Sequence, residues 1–272
     1  MMANVVLLLS VVGCATASCP GDAPVKTPTT NGKFLFAHYM IFSPSTNSTM
    51  AGFQRDILLA QSAGIDGFAL NLAVWSGSPV YRQRATLIFD AADQLNTGFQ
   101  LMFSLDMSKN MPQADIVSIL TTFSSRSSQA YRNGKQMLST FVGQAIPGVG
   151  NVSNWWASAF SQASFITGKG VYFIPFFVPS GGNSTTGLPR VIDVTNIIDK
   201  YPVVDGLFSW NLLGYPNPSK GLGKLLGATI PDNEVNYRLG CNQRSRAFMA
   251  SIGPWFSTHD RPKYILRRCF LC

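Results

Sequence analysis

The sequence predicts an α/β protein on a (β/α)8, TIM-barrel-like plan, with about seven βα units present and the eighth strand missing. Two observations carry this reading. Short apolar runs rich in β-branched and aromatic residues recur along the chain, and helix-like stretches with one apolar face lie between them. The runs start at Phe34, Ile65, Phe99, Gln136, Val171, Val204 and Ala247, a repeat of about 31 to 37 residues and then about 43. That is the length of one strand–helix unit. A doubly wound open sheet is the alternative.

In chain order, the first segment is "MMANVVLLLSVVGCATAS", an uncharged apolar run followed by the small-x-small pattern Ala15-Thr16-Ala17. Residues 1–18 therefore read as a secretory signal peptide, since the run is too short to span a bilayer. Residues 19–33 read as a linker, and residues 34–259 as the domain. The strands are "FLFAHYM" from Phe34, "IDGFALNL" from Ile65, "FQLMFSLD" from Phe99, "QMLSTFVG" from Gln136, "VYFIPFFVP" from Val171, "VDGLFSWN" from Val204 and "AFMASIGPWF" from Ala247. Each is largely apolar rather than alternating, as parallel strands covered on both faces are. Between them, "MAGFQRDILLAQSAG" sets Phe53, Ile57 and Ala60 on one face and ends at Gly64, a C-cap residue. "YRQRATLIFDAADQLNTG", "ADIVSILTTF" and "RVIDVTNIIDKY" repeat the pattern. An eighth strand is expected near residue 280, and residues 260–272 read as a basic tail.

The net charge of +8 would suit nucleic acid if it formed a stripe. It does not: from Pro216 onward there are 9 Lys/Arg against 3 Asp/Glu, and the rest of the chain is close to balanced. No nucleic-acid partner is expected. Four cysteines follow the leader, Cys19, Cys241, Cys269 and Cys272, too few for a disulfide scaffold and with no readable pairing. Asn47, Asn151 and Asn183 head glycan acceptor patterns in loop-like sequence. His38 and His259 are the only histidines and have no Cys or carboxylate at metal spacing, so no metal is expected.

In a βα barrel the chemistry sits where the strands end. The polar residues there are His38, Asn71, Asp106, Gln144, Trp210 with Asn211, and Trp255. Hydrogen-bonding side chains set among tryptophans suit sugar, whose hydroxyls need donors and acceptors and whose apolar face stacks on rings. The plain alternative is that they cap loops. Asp106 is the sharpest candidate, because "LMFSL" ahead of it is a buried strand; its competing role is to cap the next helix from a loop. Asp66 and Asp205 begin their strands and belong to the opposite rim. Glycoside hydrolysis generally needs two carboxyl groups. Glu234, the sole glutamate, lies in the polar stretch "IPDNEVNYR", which reads as a loop.

The segments "FAHYM", "AQSAGIDGFALNL", "LMFSLDMS", "NGKQMLSTFVG", "DGLFSWN" and "FMASIGPWFSTH" together resemble glycoside hydrolase family 71, the secreted fungal α-1,3-glucanases or mutanases. The resemblance implies a partial (β/α)8 glycoside hydrolase domain over residues 34–259, with inverting endo-hydrolysis of α-1,3-glucan and no metal or organic cofactor. It matches Asp106 to a strand-three aspartate important for activity. It matches His38, Asn71, Trp210, Asn211 and Trp255 to positions lining the glucan cleft, and sets Gln144 near a strand-four position often acidic in relatives. After His259 the pattern is lost: the family continues to an eighth strand bearing Asn-Asp-Tyr-Gly-Glu-Ser, its catalytic carboxylates, where this sequence reads "DRPKYILRRCFLC". The expectation is an extracellular, monomeric α-1,3-glucan hydrolase that is free or wall-associated, membrane-free once the leader is cleaved, with impaired catalysis. The alternatives are a non-catalytic glucan-binding remnant and a non-functional product of a truncated gene.

Overall fold

All seven apolar runs form strands. The computed structural model describes residues 5–10, 34–42, 48–180, 189–210 and 230–252, with backbone alone for 5–10, 230–233 and 251–252. In chain order the elements are β1 (Val5–Ser10), β2 (Leu35–Met40), α1 (Met50–Ser62), β3 (Gly67–Leu72), α2 (Pro79–Leu95), β4 (Gln100–Asp106) and α3 (Gln113–Phe123). Then come β5 (Tyr131–Arg132), β6 (Lys135–Phe141), α4 (Val152–Thr167), β7 (Val171–Phe173), α5 (Val191–Lys200), β8 (Gly206–Phe208), α6 (Ile230–Gln243) and β9 (Ala247–Ile252). The strand order is β5-β6-β4-β3-β2-β1-β9-β8, with β7 on the other side of β6. Every pairing is parallel except the short β5–β6. Parallel neighbours need long crossovers, which the helices supply.

The alternation along each strand separates two cores. Phe36, Ala69, Met102, Met137, Tyr172, Phe208 and Met249, one from each of seven strands, meet in a single inner cluster. Their neighbours Ala37, Phe68, Phe103, Leu138, Phe173, Leu207 and Phe248 join a larger cluster that packs under the helices. Strands buried on both faces explain the unbroken apolar runs. This is the TIM-barrel-like arrangement, with side chains filling the interior.

A short motif repeats at two strand starts, Ile65-Asp66-Gly67-Phe68 and Val204-Asp205-Gly206-Leu207. Asp66 Oδ2 accepts a hydrogen bond from Leu35 N at 2.8 Å, and Asp205 Oδ2 accepts one from Phe173 N at 3.0 Å. Asp205 Oδ1 also meets Lys135 Nζ at 2.9 Å. Each glycine then lets the following strand approach: a Cβ at Gly67 would lie 2.3 Å from Gln100 O, and one at Gly206 2.5 Å from Ala247 O. Backbone bonds from Asp205 N to Phe173 O (2.8 Å) and Phe208 N to Pro175 O (3.0 Å) tie the β7 segment to β8. Both aspartates act as strand clamps at the end of the sheet opposite the strand C-termini.

Three elements depart from the sequence reading. Helix α4 was not anticipated, because "VSNWWASAF" mixes aromatic and β-branched residues of modest helix propensity. The stretch "IPDNEVNYR", read as a loop, is the first part of α6; its proline sits in the first turn, where a missing N–H costs nothing. Most unexpectedly, the apolar run of the leader is β1, with Leu8 opposite Phe36 on one side and Ser251 on the other. In the strand order this is the position an eighth barrel strand would take. The physical reason is that β2 and β9 would otherwise each present a row of unpaired N–H and C=O groups, and an extended apolar segment satisfies both. Removal of residues 1–18 would bare those rows. The linker 19–33, the tail 260–272, Asn47, Asn183, Asn211, Trp255, His259, Cys19, Cys269 and Cys272 lie outside the described residues. Cys241 is a free, buried thiol that burial pushes up to about 12, so it stays protonated at neutral pH.

Candidate active site

The inward-facing alternation continues past the apolar cluster towards the C-terminal strand ends, where it turns polar. His38 follows Phe36 on β2, Asn71 follows Ala69 on β3, and Ser104 and Asp106 follow Met102 on β4. The register fixes their heights. His38 pairs with Ala69, Asn71 with Ser104, and Asp106 with Phe141 of β6, so the three site residues climb from strand to strand. With strands ~4.8 Å apart and a two-residue step of ~6.6 Å, the Cα atoms of Asn71 and Asp106 are about 8 Å apart.

Beside them is an aromatic floor. Trp210, two residues beyond the end of β8, meets the His38 ring edge-on at 4.9 Å and the Phe141 ring at 4.8 Å. Phe208 and Phe176 lie 5.5 and 6.4 Å from the same indole. The floor joins β2, β6, β7 and β8 and offers ring edges and faces beside polar groups. Asn71 is buried and its Nδ2 donates to Ser104 O at 3.3 Å. His38 Nε2 and Ser104 Oγ are buried and have no hydrogen-bond partner among the described residues. Buried polar atoms of this kind are rare in native proteins and mark places where a ligand or water completes the bonding.

Burial pushes the His38 imidazole down to about 4. At neutral pH it is uncharged and serves as a hydrogen-bonding group rather than a cation. The sign of the linked stability effect follows. Unfolded His38 takes its proton near the ordinary 6.5 and folded His38 only near about 4. Below 6.5 the unfolded chain therefore binds the extra proton, and stability falls as pH drops through that window. Urea midpoints at pH 7 and pH 5 should differ less for His38→Gln than for the wild type; an unchanged difference would show that His38 is not the group responsible.

Asp106 closes β4. Its Oδ1 accepts from Ser108 N at 3.0 Å and caps the 3-10 turn Met107–Lys109. The capping role and the position at the mouth coexist. The turn is held from the other side by the end of β6. Val142 has φ 52°, a left-handed conformation costly for a β-branched residue, and Gly143 has φ 109°. A Cβ on Gly143 would lie 3.1 Å from Met107 Cγ and 3.2 Å from the Trp156 ring, whose Nε1 donates to Gly143 O at 3.0 Å. Strained backbone at the tip of one strand thus packs directly on the residue after Asp106.

The same sharp turn carries Gln144 away from the interior. It lines a cavity of about 410 Å³ with Ile146, Val149, Lys200 and Tyr201, and Tyr201 Oη donates to Gln144 O at 2.7 Å. Glu234 is behind the sheet: the hydroxyl of Ser209, fully buried on the outward face, donates to its Oε1 and ties α6 to β8. Asn151 is exposed, and its side-chain oxygen caps α4 by accepting from Asn154 N at 2.9 Å. No group of three or more His, Cys, Asp or Glu that could hold a metal occurs among the described residues. None of their helices is long and apolar enough to cross a membrane. Sequence reasoning passed over Ser104, hidden two residues before Asp106, and Phe42, whose signal was an aromatic ring directly after a strand end.

Comparison with known proteins matches residues 31–270 to glycosyl hydrolase family 71. An ascus wall endo-1,3-alpha-glucanase of Schizosaccharomyces pombe is 31% identical over 85% of this chain and 48% of its own length. A glucan endo-1,3-alpha-glucosidase of the same yeast is 29% identical over 84% and 48%. A mutanase of Penicillium rubens is 28% identical over 85% and 44%. The chain therefore spans about half the length of these relatives. Among solved structures, a glycoside hydrolase-like protein superposes with TM-score 0.56 at 12% identity, covering 93% of this chain and 71% of that one. The GH99 endo-alpha-mannosidase of Bacteroides thetaiotaomicron gives TM-score 0.52 at 16% identity, covering 79% and 60%. These two likenesses concern the fold.

Proposed function

The chain belongs to glycosyl hydrolase family 71, and from that premise we propose that it supplies most of the catalytic barrel of an exported, inverting endo-hydrolase of α-1,3-glucan. The observation that carries the reading is the inward polar staircase of His38, Asn71 and Asp106 beside the Trp210 floor. In this reading a glucosyl unit rests on the floor, neutral His38 and Asn71 bond its hydroxyls, and Asp106 faces the bond to be broken. Trp255 and Asn211, which lie outside the described residues, are assigned to substrate binding in the same proposal. Inversion needs one carboxyl to protonate the leaving oxygen and a second, ~6.5–9.5 Å away, to activate water. Asp106 is the sole carboxylate at the inward C-terminal strand ends among the described residues. Secretion by the leader at residues 1–18, glycans on Asn47, Asn151 and Asn183, a monomeric state and independence of metal belong to the same proposal.

That single carboxylate also favours a second reading, a glucan-binding barrel that does not cleave. Incubation with insoluble α-1,3-glucan separates the two. A hydrolase releases reducing ends, a binder sediments with the polymer without release, and a protein that does neither overturns both.

A further inference from the structure

We infer that Phe42 and Tyr81 form an aromatic platform on the rim of the mouth, where an outer glucosyl unit of an α-1,3-linked chain stacks, beyond the three lying over the Trp210 floor and Asp106. The inference rests on the glucan reading above and adds a subsite to it.

Phe42 comes two residues after the end of β2, on the strand that carries His38, and its ring is 65% exposed. A single exposed aromatic means little by itself. Phe165 on α4 is 93% exposed and has no ring contact among the described residues, as a chance surface residue would. Phe42 differs because it is held. Its ring lies 5.9 Å from that of Tyr81 at an interplanar angle of 30°. Tyr81 stands in the first turn of α2 and packs against the outer core. One turn later, Arg84 reaches back and donates Nη1 to Ile41 O at 3.1 Å and to Phe42 O. Ile41 N in turn donates to Asn71 O at 3.3 Å. The backbone that carries the ring is thus anchored, and the ring rests on Tyr81 on one side before any ligand arrives, which lowers the ordering cost of binding.

Its neighbours place it beside the chemistry. Met40, two residues earlier at the end of β2, and Val80, next to Tyr81, are 47% and 51% exposed and add apolar surface. Burial raises the Tyr81 phenol above its ordinary value; Arg84 pulls it down, and the Asp106 carboxylate pushes it up. The backbone bond from Ile41 N to Asn71 O ties the platform to the strand end beside Asp106. An uncharged, ring-shaped ligand with an apolar C–H face and hydroxyl edges suits a fixed aromatic face whose adjacent cation is already spent on backbone carbonyls. A chain of such units threading from the floor past Asp106 meets Phe42 next.

The test is calorimetric titration of the 272-residue protein with α-1,3-linked glucose oligomers of three and six units. Phe42→Ala should weaken hexamer binding about tenfold and leave the trimer within about twofold, whereas Phe42→Tyr should bind both like the wild type. Hexamer binding unchanged by Phe42→Ala, or trimer and hexamer weakened alike, would overturn the platform while leaving the glucan site intact. A wild-type protein that binds neither oligomer would overturn the glucan reading itself, and the platform with it.

Discussion

Asp106→Asn is expected to lower the turnover of α-1,3-glucan by about 10²–10⁴-fold relative to the parent chain, with little change in stability. The rate loss is what removal of a general acid or base costs. The stability expectation comes from the bond to Ser108 N. Asparagine caps a helical turn about as well as aspartate, since its side-chain oxygen accepts the same bond, so the substitution removes charge and proton transfer while keeping the turn. Loss of fold would point instead to the cap as the residue's main role. Turnover like that of the parent would take Asp106 out of the mechanism.

The second large effect concerns the 272-residue polypeptide alone. Because Asp106 is the one carboxylate at the inward strand ends among the described residues, the two-carboxyl argument predicts that the polypeptide releases reducing ends from α-1,3-glucan at no more than about one-tenth the rate of one of its yeast relatives. The other carboxylates of the described structure are committed elsewhere. Asp66 and Asp205 clamp strand starts at the far end of the sheet, Asp115 accepts from Ser76 N and Oγ, and Glu234 is bonded to Ser209 behind it. A reducing-end assay beside the relative, with the mass of the secreted product confirmed, measures this. Rates within tenfold of that control would mean that the catalytic pair is formed from residues other than those assigned here.

The fold was legible because its signal is local and repeated. Seven runs of buried, β-branched and aromatic residues at barrel spacing need no knowledge of long-range contacts, and all seven are strands. The clamps Asp66 and Asp205 were legible for the same reason, since a residue at a strand start can be assigned to a rim by counting. What escaped depends on where distant segments meet. Gln144 shares the strand-end position of the others, but two left-handed residues before it swing it towards Lys200 and Tyr201. Glu234 looked loop-borne because a helix opening Ile-Pro-Asp-Asn carries little amphipathic pattern; only its partner Ser209 shows that it faces the outer layer. Phe42 and Tyr81 are 39 residues apart by their numbers, and no period links them. The leader's apolar run illustrates the limit most sharply. Its composition suits a signal peptide and a barrel strand equally, and the bare edges of β2 and β9 decide in favour of the strand while the segment is attached.

The central claim is that the mouth of this barrel recognises α-1,3-linked glucose. Co-sedimentation with insoluble α-1,3-glucan, in the presence and absence of soluble oligomers, tests it directly. The protein should pellet with the polymer and be displaced into the supernatant by α-1,3-linked hexamer but not by an α-1,4-linked hexamer at the same concentration. Protein that stays in the supernatant with polymer alone, or that pellets regardless of the α-1,3 competitor, would contradict it.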